Sequence, residues 1–304
     1  MSDFDLASLI AFIPAVLRVT TPILLAALGV LISDRAGVLN IGVEGMMLMG
    51  AFAGVVASAF TGSASLGLLA AILAGGLLGA VLAGAVHVLK ADLILSGIAL
   101  NIAAASGTTL MLYLLTGDKG MSGSLPSEVL PWLTLPVIAD VPVLGTLLSG
   151  HHVLTYAAFL AVPGVGLFLM RTPFGLRLRA VGENPEAAAI AGIPVIRVQV
   201  LALVASGAFA GAGGAFLSMG YVSWFSQNMS AGRGFIALAA EVMGHGTASG
   251  TMFASLLLGA AEAIAIALQG KGLPSELMQT VPYIVPVIAL VVYARRRQRQ
   301  LAKA

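Results

Sequence analysis

Three stretches of the chain, Leu66–Leu89, Leu93–Thr116 and Val198–Val222, run without a single Asp, Glu, Lys or Arg. Each is long enough to cross a bilayer, which takes about 20 apolar residues. A helix on a soluble protein shows a charged face to water, and these have none to show. Charged residues make up only 9% of the chain and hydrophobic residues 59%, against about 25% charged in a soluble domain. The chain is therefore expected to be an all-α, polytopic membrane protein.

Further spans follow from the same pattern. Gly45–Thr61, Val153–Met170 and Leu277–Ala294 are shorter and also uncharged, and Thr251–Leu268 carries one acid, Glu262. Leu6–Ile32 is interrupted by Pro14, Arg18 and Pro22, so a break is expected there. Gly234–Gly244 is too short to cross unaided and reads as half of a broken helix or a re-entrant element. The expected architecture is one transmembrane domain over residues 1–304, a helical bundle of about 9–10 spans with broken elements. The first residues, MSDFDLASLI, carry acids and no basic segment, so a cleaved leader is not expected. The chain has no cysteine, which removes disulfides and thiolate metal sites. His151 and His152 have no third ligand nearby in sequence, so no metal and no cofactor is expected.

Charge sets the orientation. Arg171–Arg197 holds four Arg, and the tail 295–304 holds five basic residues and no acid. The external candidate, loop 117–152, has Lys119 against Asp118, Glu128 and Asp140. The positive-inside rule puts the first two and the C-terminus in the cytoplasm and the loop outside. A pI near 9.1 is explained by basic residues held at one membrane face, so no nucleic-acid partner is expected. Lipid is the expected surrounding.

The cytoplasmic stretch 171–197 contains a short helix whose ends are legible. Asn184 is an N-cap, Pro185 suits the first helical position, and Glu186 favours the positive end of the helix dipole. Ala187, Ala188 and the residues after them form about two turns, ended by Gly192 and Pro194. So small an apolar knob suits either a shallow groove on a partner or packing on its own membrane domain.

The segment ENPEAAAIAGI around these residues resembles the Glu-Ala-Ala coupling loop of ABC-importer permeases. With GVLNIGVEGMMLMGAFAG at Gly37–Gly54 and NMSAGRGFIALAAEVMG at Asn228–Gly244, the chain resembles the permease family serving simple sugars, branched-chain amino acids and nucleosides, on its nucleoside branch. The resemblance implies no catalytic site on this chain and no ATP bound here, in keeping with the missing Walker A pattern. It implies a partner ABC ATPase that grips Asn184, Pro185, Glu186, Ala187, Ala188 and Gly192, an external binding lipoprotein or periplasmic protein, and a second, related permease. It also implies the bacterial cytoplasmic (inner) membrane. Glu241 departs from the family, where this position is commonly aliphatic.

Polar groups inside spans are costly and face a bundle interior or cavity. Asn40, Glu44 and Asn101 are candidates for the substrate path. For Asn101 the alternative is an interhelical hydrogen bond, and for Glu44 a pairing with Arg35 or Arg18. Glu241 and His245, four apart, suit a structural pair. Trp224, Gln227 and Asn228 mix an aromatic with amides at the outer end of a span, as either an interfacial belt or a face for a base or sugar. Gly37–Gly50 and Gly234–Gly244 share a loose Gly, Ile, Glu, Met order that hints at paired halves, and such interrupted pairs flank substrate paths in transporters. GGLLGAVLAGA at Gly75–Ala85 and GAFAGAGGAF at Gly207–Phe216 are expected to be helix-packing surfaces. A second class of function, an ion-coupled secondary transporter, would use Glu44, Glu241 and Glu262 as coupling carboxylates.

Overall fold

The computed structural model describes residues 6–134 and 149–269. The described residues form ten helices: α1 Leu6–Asp34, α2 Val43–Thr61, α3 Ala64–His87, α4 Leu93–Thr116, α5 Val153–Arg171, α6 Pro173–Glu183, α7 Pro185–Ile190, α8 Val195–Met219, α9 Arg233–Met243 and α10 Ala248–Gln269. Among the described residues, seven of these (α1 to α5, α8 and α10) are long and apolar enough to cross a membrane. The expected span Leu277–Ala294 and the tail 295–304 lie outside the described residues. Strand β1 Trp132–Leu133 pairs antiparallel with β2 His151–His152 between α4 and α5, with Trp132 opposite His152.

The expected break in the first segment does not occur: α1 runs through Pro14 and Pro22 as one helix. Proline removes an N–H and frees a carbonyl one turn back. The Thr21 hydroxyl, beside Pro22, donates to Leu17 O at 2.7 Å and contacts Thr155 Oγ1 of α5 at 3.1 Å, which ties this stretch to its neighbour. From Val19 to Ile32 the helix is buried on all sides, and packed neighbours let a transmembrane helix tolerate a proline.

The centre of the bundle is α8, packed against α1, α2 and α3. The two glycine-rich segments meet here. A Cβ on Gly75 would collide with the Gly207 carbonyl oxygen, and one on Gly211 with that of Ala71. Backbone thus touches backbone, which gives dispersion contacts that larger side chains would prevent. Helix ends follow local chemistry: Asp92 accepts from Leu95 N at 2.9 Å to start α4, and Gly117 stops it at φ 73°. Thr172 and Pro173 likewise start α6, with the Thr172 hydroxyl accepting from Gly175 N at 3.0 Å. The expectation of a single short helix in 171–197 missed α6.

Candidate translocation and coupling sites

Two non-helical stretches meet inside the bundle: residues 38–42 before α2 and 228–232 before α9. Their junction is built around Glu44. The Ser230 hydroxyl donates to Glu44 Oε1 at 2.6 Å, Gly232 N–H to the same oxygen at 2.8 Å, and Gly234 N–H to Oε2 at 2.6 Å. Helix α9 has Gly232 at its N-cap and no capping side chain of its own. Glu44 therefore supplies, from another helix, the acceptor that the free N–H groups need. A Cβ at Gly234 would lie 2.6 Å from Glu44 Cα, so glycine there permits the approach.

The pairing of Glu44 with Arg35 or Arg18 is corrected by this geometry. Arg18 lies 4.8 Å from the centre of the Tyr221 ring, and Arg35 Nε donates to Gly246 O at 2.7 Å. Asn101 braces the same junction from α4. Its Oδ1 accepts from Gly45 N at 2.8 Å and its Nδ2 donates to Ile41 O at 2.9 Å. Asn40 is fully buried; its Nδ2 donates to Ser206 Oγ of α8 at 2.9 Å, while its Oδ1 has no partner among the described residues. Asn40 and Glu44, both buried, and the half-buried Asn101 therefore form one polar junction that joins α2, α4, α8 and α9.

Glu262, the acid inside α10, is neutralised by Arg233 at 2.5 Å. Nothing in the sequence pattern paired these two, because the arginine sits at the start of the re-entrant α9. Glu241 is buried near the C-terminal end of α9, with Asp34 and Arg35 as its charged neighbours.

The candidates at 224–228 separate. Gln227 lines a cleft of about 590 Å³ along the C-terminal half of α4, with Ser106, Thr109, Tyr113 and Lys119. Trp224 and Asn228 do not line it. Trp224 is exposed, and Asn228 takes φ 55°, a left-handed turn that Asn enters more readily than most residues. Phe225, beside them, is fully buried edge-on to Phe52 at 5.3 Å and offers no face to a ligand. The stretch is tied to the start of the outer loop: Gln227 N–H donates to Gly120 O at 2.8 Å and Ser122 N–H to Phe225 O at 2.9 Å.

At the opposite end, α6 and α7 form a bent pair. Asn184 Oδ1 accepts from Ala187 N at 2.9 Å, and Gly192 has φ 80°. Ala188 is the buried residue of α7, whereas Ile190 is 90% exposed. Beneath the pair lies the turn 35–37. Gly37 and Gly182 of α6 pack together with 3.3 Å between a Cβ on Gly37 and Gly182 Cα. Gln199 of α8 donates to Ala36 O at 3.3 Å. Arg35 reaches the α9–α10 turn, donating to the carbonyls of His245 and Gly246. A charged groove of about 380 Å³, lined by Asp34, Arg35, Arg179 and Glu183 among others, opens at this point.

The described residues thus form a multi-spanning helical bundle with a buried polar junction and an exposed short helix at one end, the architecture of a polytopic membrane protein. Residues 12–290 match the family described as branched-chain amino acid transport system, permease component, and the chain belongs to that family. It is 35% identical to the guanosine ABC transporter permease protein NupQ of Bacillus subtilis, over 96% of this chain and 95% of that one. It is 34% identical to the nucleoside ABC transporter permease protein NupC of Lactococcus lactis, over 90% and 89% of the two chains. It is also 35% identical to the putative glucose ABC transporter permease protein TsgC13 of Haloferax volcanii, over 92% and 90%. No solved structure matches. The chain is thus a multi-pass membrane permease of an ABC transporter, a component that works with an ATPase and a substrate-binding partner, and is not itself a catalytic enzyme. Ion-coupled secondary transport is not favoured by any of these relatives.

Proposed function

We propose that this chain is a nucleoside-translocating permease subunit of an ATP-driven importer in the bacterial cytoplasmic membrane. A separate ATPase grips α7 from the cytoplasm, and ATP is hydrolysed there. An external binding protein delivers cargo to the face that carries loop 117–152, and a second, related permease completes the path. The C-terminal tail 295–304 lies on the cytoplasmic side with α7, as the positive-inside rule requires. The observation that carries the coupling assignment is the exposure of α7 between its Asn184 and Gly192 ends, with Ile190 pointing away from the bundle. An exposed apolar tip on a rigid two-turn unit fits a hydrophobic groove on a partner. The cargo assignment is supported by the guanosine and nucleoside permeases among the relatives. The glucose permease among them supports simple sugars as the competing cargo, and a nucleoside carries a sugar of its own.

Co-expression with candidate ATPase, binding-protein and permease partners, followed by purification through this chain, tests the assembly. The expected result is a co-purifying ATPase that is lost when Glu186 and Gly192 are replaced by Trp. Proteoliposomes holding the complex should take up labelled guanosine and uridine in an ATP-dependent way. Retention of the ATPase by the Trp variants would remove the coupling assignment, and uptake of glucose without nucleosides would replace the cargo.

A further inference from the structure

The cleft on α4 differs in kind from the buried junction. In the junction nearly every polar atom has a partner. In the cleft, the Ser106 hydroxyl and the Gln227 side-chain amide have no partner among the described residues. Tyr113 presents a half-exposed ring there, with the Lys119 ammonium 5.1 Å from its centre. Lys119 and Gln227 are held at the mouth by the antiparallel contact of Met121 with Ser226 and the Gln227-to-Gly120 hydrogen bond. Its volume of about 590 Å³ falls within the roughly 300–1,000 Å³ of small-molecule sites. Unpaired polar groups along a spanning helix face protein or a water-filled cavity and not lipid.

We propose that this cleft is a nucleoside-recognition site on the translocation path, with Tyr113 as the stacking platform for the base and Gln227, Ser106 and Lys119 as its hydrogen-bonding partners. The inference rests on the nucleoside reading given above. A base has a flat apolar face that stacks on any aromatic ring. Its edge and the ribose carry both donors and acceptors, which an amide and a hydroxyl satisfy in either sense, while the Lys119 ammonium donates to ring nitrogens or carbonyl oxygens. The open side of the cleft, on a helix only 17% buried, is where the second permease of the proposed assembly supplies the remaining wall.

The test uses the assembled transporter in proteoliposomes with labelled uridine and guanosine at subsaturating concentration. Tyr113→Ala is expected to lower uptake at least tenfold, the size of a lost base–aromatic stack. Tyr113→Phe should stay within about twofold of the parent, since the ring remains. Gln227→Ala is expected to lower uptake by about three- to tenfold. Because the chain has no cysteine, Ser106→Cys gives a single thiol, whose alkylation should slow at least threefold in saturating uridine and not in an equal concentration of leucine. This second measurement does not depend on how well the Tyr113 variants assemble. Parental uptake by Tyr113→Ala, an equal loss in Tyr113→Phe, or alkylation indifferent to uridine would each overturn the site while leaving a nucleoside transporter standing. A parent complex that takes up no nucleoside would overturn the cargo reading itself, and the site with it.

Discussion

Helices α8 and α4 are close in length and each has a long uncharged stretch, yet 14 of the 25 residues of α8 are buried and 4 of the 24 of α4. The difference lies in which small residues they carry and where. In α8, glycines fall where α2 and α3 cross, and backbone meets backbone. In α4, the N-terminal half is held by Gly97, Asn101 and Ala104 against residues 41–45, while the C-terminal half turns Ser106, Thr109 and Tyr113 toward the cleft. Apolar length therefore places a helix in the membrane, and the placement of glycine decides whether it becomes the centre of the bundle or its edge.

The largest expected effect breaks the centre. Gly211→Leu puts a branched side chain against the backbone of Ala71 and Gly75, and overpacking of this kind with no room to relax exceeds about 3 kcal/mol. Loss of monodisperse protein in size-exclusion chromatography is the expected readout. Next comes the junction between the two stretches: Glu44→Ala leaves Ser230, Gly232 and Gly234 without their acceptor, and about 2–4 kcal/mol is expected from buried donors left unmet. Glu44→Gln keeps an acceptor and should recover roughly half of the fall in thermal midpoint.

A smaller, pH-dependent effect is expected at the outer end of α8. His152 is buried against Phe216, with ring centres 5.2 Å apart, and its Nδ1 accepts from Leu154 N at 3.1 Å to cap α5. Burial pushes its pKa down from 6.5 to about 4. The unfolded chain therefore binds the proton first, so the stabilisation is whole above about pH 6.5 and is lost as pH falls toward about 4. A His152→Asn variant, which retains a capping oxygen, should show a flatter thermal midpoint over that window. The smallest effect sharpens the contrast: Leu114→Ala, on the open face of α4 at 67% exposure, should stay within about 0.5 kcal/mol of the parent in detergent.

Much of the fold was legible because bilayer thickness imposes a length on every crossing segment. The uncharged run Leu93–Thr116 coincides with α4, whose ends the structure shows to be set by Asp92 and Gly117. The Asn184 cap and the Gly192 stop of α7 were legible as end signals. The continuity of α1 was not, because proline reads as a break unless the packing around it is known. The interrupted stretches could be seen as interruptions, yet not as partners: Glu44 and Ser230 are joined across 186 positions. Only the absence of a capping residue at Gly232 could have suggested that an acceptor arrives from elsewhere. The cleft residues Ser106, Thr109 and Tyr113 escaped notice since Ser and Thr in spans commonly bond their own helix, as Thr109 does to Ala105 O at 2.9 Å.

The turn at 35–37 gives the molecule a crossbar. Gly182 of α6 packs on it from one side, and the Arg35 side chain ties it to the carbonyls at 245–246 on the other. Three residues thus fasten α6, the foot of α1 and the half-helix whose far tip is moored to Glu44 to one another. None of the three elements can shift there without straining its attachment to the other two.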